Sequence, residues 1–207
     1  MVNSNSNFSI ILAAGASQRM GVCKTTLPWQ GRTLLKYQAE QFLLAGFTPV
    51  IVLGPHNLQR QKECPQGSQV VINPAPERGK TSSILTGLAA LPLWTVLFIS
   101  AVDQPRSAHV YQTLYKVHRE KNASITAPSH AGKLGHPLLF SHRLLPDLKN
   151  ISDATLGLRQ IVQKYGERAQ CKQNSIVQVE FATPEVFIDM NTPTSYQTQL
   201  QKHSLTR

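Results

Sequence analysis

The chain has 207 residues, of which 41% are hydrophobic and 15% are charged, a composition typical of a globular protein that buries its own core. No apolar run reaches the roughly 18 residues that span a bilayer, and the polar first residues do not resemble a secretory signal, so we expect a cytoplasmic protein with no membrane partner. The net charge of +10 favours anionic ligands, but the cations are scattered and only 7% of residues are aromatic, so we expect no nucleic-acid partner.

Apolar runs alternate with helical patterns along the chain. We predict strands at residues 8–12, 49–53, 69–72, 95–102, 123–127, 176–181 and 186–188. We predict helices at residues 33–45, 80–91, 107–121, 154–165 and 192–201. The glycines and proline of residues 128–140 indicate a turn-rich excursion or a hairpin. This alternation predicts an α/β fold with a mostly parallel, helix-covered sheet, in one domain spanning residues 1–207 with flexible tails at 1–7 and 202–207.

Three loops that directly follow predicted strands carry small or polar side chains. They cover residues 13–24, 73–83 and 103–106. In sheets of this kind, ligands bind at the carboxyl ends of the strands. We therefore expect the three loops to meet at one binding site. The sequence contains neither a P-loop signature nor the glycine fingerprint of standard dinucleotide-binding proteins.

The first loop combines small residues with two cations. Its small residues, from Ala13 to Ser17, let backbone N–H groups approach a ligand closely. Arg19 and Lys24 follow, five residues apart, and two fixed cations suit a polyphosphate better than a neutral molecule. The loop therefore predicts a site for a nucleoside triphosphate.

Acidic and amide side chains follow two other predicted strands. Asp103 ends the most apolar run, where a carboxylate can hold Mg²⁺, or can equally begin a turn before a helix. Asp189 and Asn191 are two residues apart and point the same way in an extended stretch. Either could complete a metal site with Asp103, although Asn191 and Thr192 could instead cap the last helix.

The remaining candidates have ordinary structural explanations as well. Asn73, followed by Gly79, Ser82, Ser83 and Gly87, could contact a base or ribose. Thr81, Ser82 or Ser83 could instead simply cap a helix. His136 lies in the tight Gly135-His136-Pro137 segment, where a structural role is favoured over that of a general base. The cysteines, Cys23, Cys64 and Cys171, are isolated and are expected to be free thiols.

Taken together, these motifs are similar to those of a known family. They are Leu12-Ala13-Ala14-Gly15-Ala16-Ser17-Gln18-Arg19 with Lys24, then Asn73, Gly79, Ser82 and Ser83, then Asp103-Gln104-Pro105, Gly135-His136-Pro137, and Asp189-Met190-Asn191-Thr192-Pro193. The chain resembles the molybdenum cofactor nucleotidyltransferases, and the cytidylyltransferase-like branch in particular. The matches extend from residue 8 to about residue 196, which is nearly the whole chain.

The resemblance implies a three-layer α/β/α sandwich with a Rossmann-like sheet of the nucleotidyltransferase type. It implies a reaction that depends on Mg²⁺, with Mn²⁺ as a substitute, in which a phosphorylated pterin attacks a nucleoside triphosphate and pyrophosphate leaves. Arg19, Lys24 and Asp103 would be catalytic, and Asp103 with Asp189 or Asn191 would hold the metal. The nucleotide would bind at Leu12, Ala13, Ala14, Gly15, Ser17, Asn73, Gly79, Ser82 and Ser83, and the pterin at Gly135, His136 and Pro137.

The Leu12-Ala13-Ala14-Gly15 sequence resembles the cytidylyl branch and favours CTP as the donor. Two other interpretations remain open. The chain could use GTP or another donor, or a sugar or alditol phosphate as acceptor. It could also be a non-catalytic nucleotide-binding chaperone that delivers the cofactor to a molybdoenzyme.

Overall fold

The computed structural model describes residues 6–167 and 176–204, apart from the side chains of Glu167 and Ser204. The strands are β1 (Asn7–Leu12), β2 (Pro28–Trp29), β3 (Arg32–Thr33), β4 (Thr48–Leu53), β5 (Gln69–Ile72), β6 (Val96–Ala101), β7 (Ile125–His130), β8 (Lys133–Leu134), β9 (Leu138–Ser141) and β10 (Ile176–Glu180). The helices are α1 (Leu34–Leu44), α2 (Lys80–Ala89), α3 (Ala108–Glu120), α4 (Leu145–Lys149), α5 (Leu158–Glu167) and α6 (Pro193–Ser204).

In the described part of the chain, eight strands form one mixed, mostly parallel sheet. The order is β10-β7-β9-β6-β1-β4-β5, with β8 paired to β7. Strands β1, β4, β5 and β6 run parallel to one another, as do β10 and β7, whereas β9 is antiparallel to both of its neighbours. The predicted α/β fold with a mostly parallel sheet is confirmed. The predicted excursion over residues 128–140 contains the end of β7, the short strand β8 and the start of β9.

The sheet separates two apolar cores, because successive side chains of a strand point to opposite faces. Ile11 packs with residues of α1 and α3, while its neighbour Ile10 packs with residues of α2, α4 and α5. Both isoleucines are fully buried, and burying one such side chain stabilises the fold by about 2 kcal/mol. This arrangement of helices, sheet and helices is the three-layer sandwich that the resemblance implied.

The structure corrects the predicted elements near the C-terminus. Residues 186–188 are not a strand, because the chain forms a 3₁₀ turn at Pro184–Phe187, where proline supplies no N–H to a strand ladder. The helix predicted at 154–165 begins only at Leu158. Leu156 and Gly157 both have positive φ angles, 65° and 56°, which a continuous right-handed helix does not allow.

The start of α2 also differs from expectation. Gly79, with φ of 95°, is the N-cap residue, and no side chain of Thr81, Ser82 or Ser83 caps the helix from that position. The carboxylate of Asp153 performs this role instead, since its Oδ1 atom accepts hydrogen bonds from the hydroxyl of Thr81 at 2.6 Å and from its backbone N–H at 3.4 Å. An anion at a helix N-terminus also interacts favourably with the helix dipole.

Two further expectations can be compared with the structure. Cys23 and Cys64 are free thiols, and Cys171 lies outside the described residues. Within residues 6–167 and 176–204, none of the helices has the length and apolar character needed to traverse a bilayer.

The buried imidazole of His118 generates a testable pH dependence. It is 4% exposed and its Nδ1 atom lies 2.8 Å from the Thr126 hydroxyl; burial, and then the charge of Arg143, lowers its pKa from 6.5 to about 4. Between pH 6.5 and pH 4, His118 therefore binds a proton more readily in the unfolded chain than in the folded protein. Stability is lost as the pH falls through this range. We expect His118 to contribute about 3 kcal/mol to this loss.

Urea unfolding at several pH values should show a flatter pH profile for His118→Gln than for the wild type. His109 lies exposed on the same helix, so His109→Gln is the matched control and should keep the wild-type profile. Parallel profiles for His118→Gln and the wild type would contradict this account.

Candidate active site

A cavity of about 590 Å³ opens at the carboxyl ends of β1 and β6. It is bounded by the loops that follow β1, β5 and β6 and by the segment that precedes α6. Twelve of the residues that the sequence singled out line it: Leu12, Ala13, Ala14, Gly15, Ser17, Arg19, Lys24, Gly79, Ser83, Asp103, Asp189 and Asn191. The three loops that were expected to meet therefore do so.

The loop after β1 is held in a closed shape by its own side chains. Ser17 has a φ of 54°, and its Oγ atom accepts a hydrogen bond of 3.1 Å from the backbone N–H of Lys24. The hydroxyl thus joins the two ends of the loop. Gly15 is exposed, and a Cβ atom there would meet nothing within 4 Å, so packing leaves this part of the loop open to a ligand.

Asn57 holds Ala13, the first residue of this loop, by a hydrogen bond to its backbone. Its side chain is buried, with Nδ2 donating to the Ala13 carbonyl at 2.8 Å and Oδ1 accepting from the Gly54 N–H at 2.9 Å. One amide thus connects the chain after β1 to the chain after β4. The sequence offered no signal for this role, because Asn57 lies in a polar segment with no motif of its own.

Lys24 forms the centre of the cavity's charged wall. Its ammonium group lies 2.5 Å from Oδ2 of Asp103 and also donates to the Oδ1 atom of Asn191. Only 12% of the Lys24 side chain and 11% of the Asp103 side chain are exposed, so water screens this ion pair weakly. A single cation therefore joins the loop after β1, the end of β6 and the segment before α6.

Asp189 adds a second carboxylate, one oxygen of which lacks a partner. Its Oδ1 atom is buried and has no hydrogen-bond partner among the described residues. Its pKa is raised, first by burial and then by the negative charge of Asp103, while the charge of Lys24 acts in the opposite direction. The two acids therefore repel each other, and added positive charge near them would be stabilised.

Arg19 supplies the other predicted cation of the cavity. It lies exposed on the 3₁₀ turn Gln18–Met20, and both it and Lys24 line the same space. Both cations therefore favour an anionic ligand in the cavity.

Asn73 and Ser82 act on the site indirectly, because neither lines the cavity. The buried Asn73 amide donates from Nδ2 to Ser82 Oγ at 2.8 Å and to Ser83 Oγ at 2.9 Å. Ser82 donates in turn to the carbonyl oxygen of Gly79. Of these polar side chains, only Ser83 reaches the cavity, and Asn73 fixes its position.

The segment Gly135-His136-Pro137 does not line the cavity. Gly135 packs closely against the 3₁₀ turn that contains Val186, so that a Cβ atom at Gly135 would lie 2.7 Å from the Val186 carbonyl oxygen. The His136 side chain is exposed, yet surrounding atoms desolvate the ring and lower its pKa, and the charges of Lys80, Arg106 and Arg159 lower it further. Contact of this segment with a substrate stays a prediction.

Lys80 and Gln104 are among the further polar residues that line the cavity and were not predicted as site residues. Lys80 is the first residue of α2, and Gln104 directly follows Asp103. Both belong to the strand-end loops that were singled out, so their position in those loops is the signal that could have found them.

Sequence comparison agrees with this geometry. The MobA-like NTP transferase domain matches residues 9–170, a segment that holds the cavity's three strand-end loops. The chain belongs to this family. The NTP transferase domain, together with the nucleotidyltransferase homologues described next, places the chain in that class of enzyme.

Individual relatives extend the comparison. The chain is 31% identical over 167 residues to the nicotine blue oxidoreductase of Paenarthrobacter nicotinovorans, covering 75% of this chain and 80% of that one. It is 24% identical over 204 residues to the molybdenum cofactor cytidylyltransferase of Escherichia coli, covering 94% and 96%. A nucleotidyl transferase from Methanothermobacter has the same fold, with a TM-score of 0.79, 21% identity, and coverage of 99% of this chain and all of that one.

The anchoring role of Asn57 can be tested by changing one atom. Asn57→Asp keeps the acceptor for the Gly54 N–H but replaces the donor to Ala13 with a carboxylate oxygen. Because the Ala13 carbonyl is left without its buried partner, we expect the free energy of unfolding to fall by about 2 kcal/mol or more. Urea unfolding measures this loss.

Asn150→Asp is the matched control. Asn150 also donates from Nδ2 to a backbone carbonyl, that of Pro146, but it is exposed, so water can replace the lost bond. We expect a loss below about 0.5 kcal/mol there. Equal losses at both positions would mean that burial does not decide the cost.

Proposed function

We propose that the protein transfers CMP from CTP to the terminal phosphate of a molybdopterin-type acceptor, with release of pyrophosphate. The observation that carries this proposal is the convergence of Arg19, Lys24 and Asp103 on one cavity with the small-residue loop. The name of the Escherichia coli relative supports both the cytidylyl donor and the acceptor. A molybdoenzyme that receives the product, and a cytoplasmic location, belong to the same proposal.

The names of the two curated relatives point to different reaction classes, so the names alone do not decide the activity. The charges in the cavity favour transfer of a nucleotidyl group. Arg19 and Lys24 can contact the phosphates of a triphosphate, and the open loop around Gly15 can bring backbone N–H groups close to them.

The proposed reaction balances without a protein base. An ionised oxygen of the acceptor phosphate attacks the α-phosphorus and forms the new P–O bond. The bond from the α-phosphorus to the bridging oxygen breaks, and its electron pair leaves with pyrophosphate. Arg19 and Lys24 stabilise the charge that develops on the α-phosphate and on the leaving group, and such preorganised groups are worth about 3 kcal/mol each. His136 is not needed as a base, which agrees with its position outside the cavity lining.

The oxygen atoms of the charged wall fit a divalent cation. Asp103, Asp189 and Asn191 offer two carboxylates and an amide, and the buried Oδ1 atom of Asp189 lacks a partner. Mg²⁺ is bound by one or two carboxylates together with substrate phosphates and waters. Asp103, with Asp189 or Asn191, would hold Mg²⁺ or Mn²⁺, and the ion would neutralise charge on the triphosphate. Among the described residues no group of three or more His, Cys, Asp or Glu side chains could hold a metal, so the amide and the substrate would complete the set.

Lys24 contacts two of the same oxygen atoms, which leads to a test of the metal proposal. In Lys24→Met the ammonium no longer competes for Asp103 and Asn191, so we expect Mn²⁺ alone to bind at least five-fold more tightly than to the wild type. The signal of free Mn²⁺ in electron paramagnetic resonance measures this affinity. The exposed Lys36 provides the control variant Lys36→Met, which should bind Mn²⁺ as the wild type does. Weaker Mn²⁺ binding by Lys24→Met would exclude the shared site.

The proposed reaction is tested by measuring pyrophosphate release with CTP, GTP, ATP or UTP, Mg²⁺ and each candidate acceptor. We expect release with CTP and a molybdopterin-type phosphate. Release with GTP, or with a sugar or alditol phosphate, would identify the other transferases that the sequence left open.

In the productive mixture, Lys24→Ala should lower kcat by about 100-fold or more. Its CTP affinity should change much less. No pyrophosphate in any mixture, with CTP still bound, would instead indicate a non-catalytic nucleotide-binding protein.

A further inference from the structure

Arg106 is a buried cation that the proposed reaction does not use. Its side chain is 3% exposed and does not line the cavity. Its guanidinium donates four hydrogen bonds, all to backbone carbonyls: those of Pro105 at 2.8 Å, His136 at 3.1 Å, Ile188 at 3.0 Å and Val186 at 2.7 Å. Each of the three side-chain nitrogens is used.

These carbonyls belong to three separate parts of the chain. Pro105 follows β6 and Asp103, His136 lies in the turn before β9, and residues 186 and 188 directly precede Asp189. The 3₁₀ turn Pro184–Phe187 has no strand ladder to hold it against the sheet. The guanidinium supplies attachment at two points, Val186 and Ile188. Two backbone hydrogen bonds add to it: the N–H of His136 donates to the Val186 carbonyl at 3.2 Å, and the N–H of Met190 donates to the Asp103 carbonyl at 3.0 Å.

The chemistry of the side chain suits this task. The planar guanidinium offers five donors in a fixed arrangement, whereas an ammonium offers three from a single point. Burial lowers the pKa of Arg106 to about 10, so the group stays charged at neutral pH. None of the ion pairs found in the described part of the chain includes Arg106, so its donors are committed to the backbone.

We infer that Arg106 is a positioning residue that holds the segment carrying Asp189 and Asn191 against the end of β6, so that these side chains and Asp103 face one cavity. It touches neither the cavity nor a ligand in it. Its effect on chemistry passes through the position of residues 186–191. The predicted effect on metal binding rests on the proposed function. The attachment does not, because the hydrogen bonds from the guanidinium to the backbone need no ligand.

Two measurements on full-length Arg106→Met and Arg106→Lys test the inference. The first is hydrogen–deuterium exchange of residues 186–191. The second compares CTP affinity with Mn²⁺ present and with the metal removed. The matched control is Leu148→Ala, which opens a cavity in α4 on the far side of the sheet and lowers global stability without touching the attached segments.

For Arg106→Met we expect exchange of residues 186–191 to be at least ten-fold faster. We also expect the gain in CTP affinity that Mn²⁺ gives to the wild type to fall at least ten-fold. Metal-free CTP affinity should stay within about two-fold, because the loop after β1, Arg19 and Lys24 remain in place. Arg106→Lys should give values between those of the wild type and Arg106→Met. If Arg106→Met does not fold, Arg106→Lys is compared with Leu148→Ala in both the exchange and the affinity measurements.

The inference is overturned if residues 186–191 keep wild-type exchange in the Arg106 variants, or if Leu148→Ala reproduces both losses at equal stability. A wild type that binds no CTP would refute the proposed function instead. In that case the exchange measurement would still decide the role of Arg106.

Discussion

The site depends on the parallel pairing of β1 and β6. In this register Leu12 lies opposite Ala101, so both strands end at the same level of the sheet. The backbone continues the pairing by one step, with the Val102 N–H donating to the Leu12 carbonyl at 3.0 Å. The loops that follow the two strands therefore begin side by side. As a result, the Lys24 side chain can span the distance from its own loop to Asp103.

Around this pairing, the polar side chains of the site divide into two groups. Lys24, Arg19 and Asp103 reach the cavity, where their charges are available to a ligand. Asn57 and Arg106 are buried behind it and use their donors on backbone carbonyls. The second group donates hydrogen bonds to buried carbonyls of the irregular backbone at the ends of the strands, since each such carbonyl needs a partner. The first group is thereby left free to change partners when a ligand binds.

The charges that line the cavity balance without a ligand, because the cations Arg19, Lys24 and Lys80 face the acids Glu77, Asp103 and Asp189. A triphosphate brings several negative charges, and the cation that accompanies it brings positive charge to the same oxygens. Arg19 and Lys80 line the cavity as further cations, and the +10 charge of the whole chain favours approach of such an anion. The arrangement is thus suited to a ligand that carries both signs of charge.

The sequence by itself determined most of the strand and helix order, the strand-end loops and most residues of the cavity, but it did not predict β2, β3 or α4. Apolar runs such as 95–102 and the small-residue loop after β1 are local signals, and parallel strands of this class bring their carboxyl ends to one edge. Only the tertiary structure decided the roles of Asn57, Arg106 and Asp153, which act on backbone atoms far away in the sequence. It also showed that Asn73 holds Ser83 rather than facing the cavity, and that residues 186–188 form a turn. The physical reason is that a side chain's partner at a strand end depends on which loops the sheet places beside it, and no local pattern records that choice.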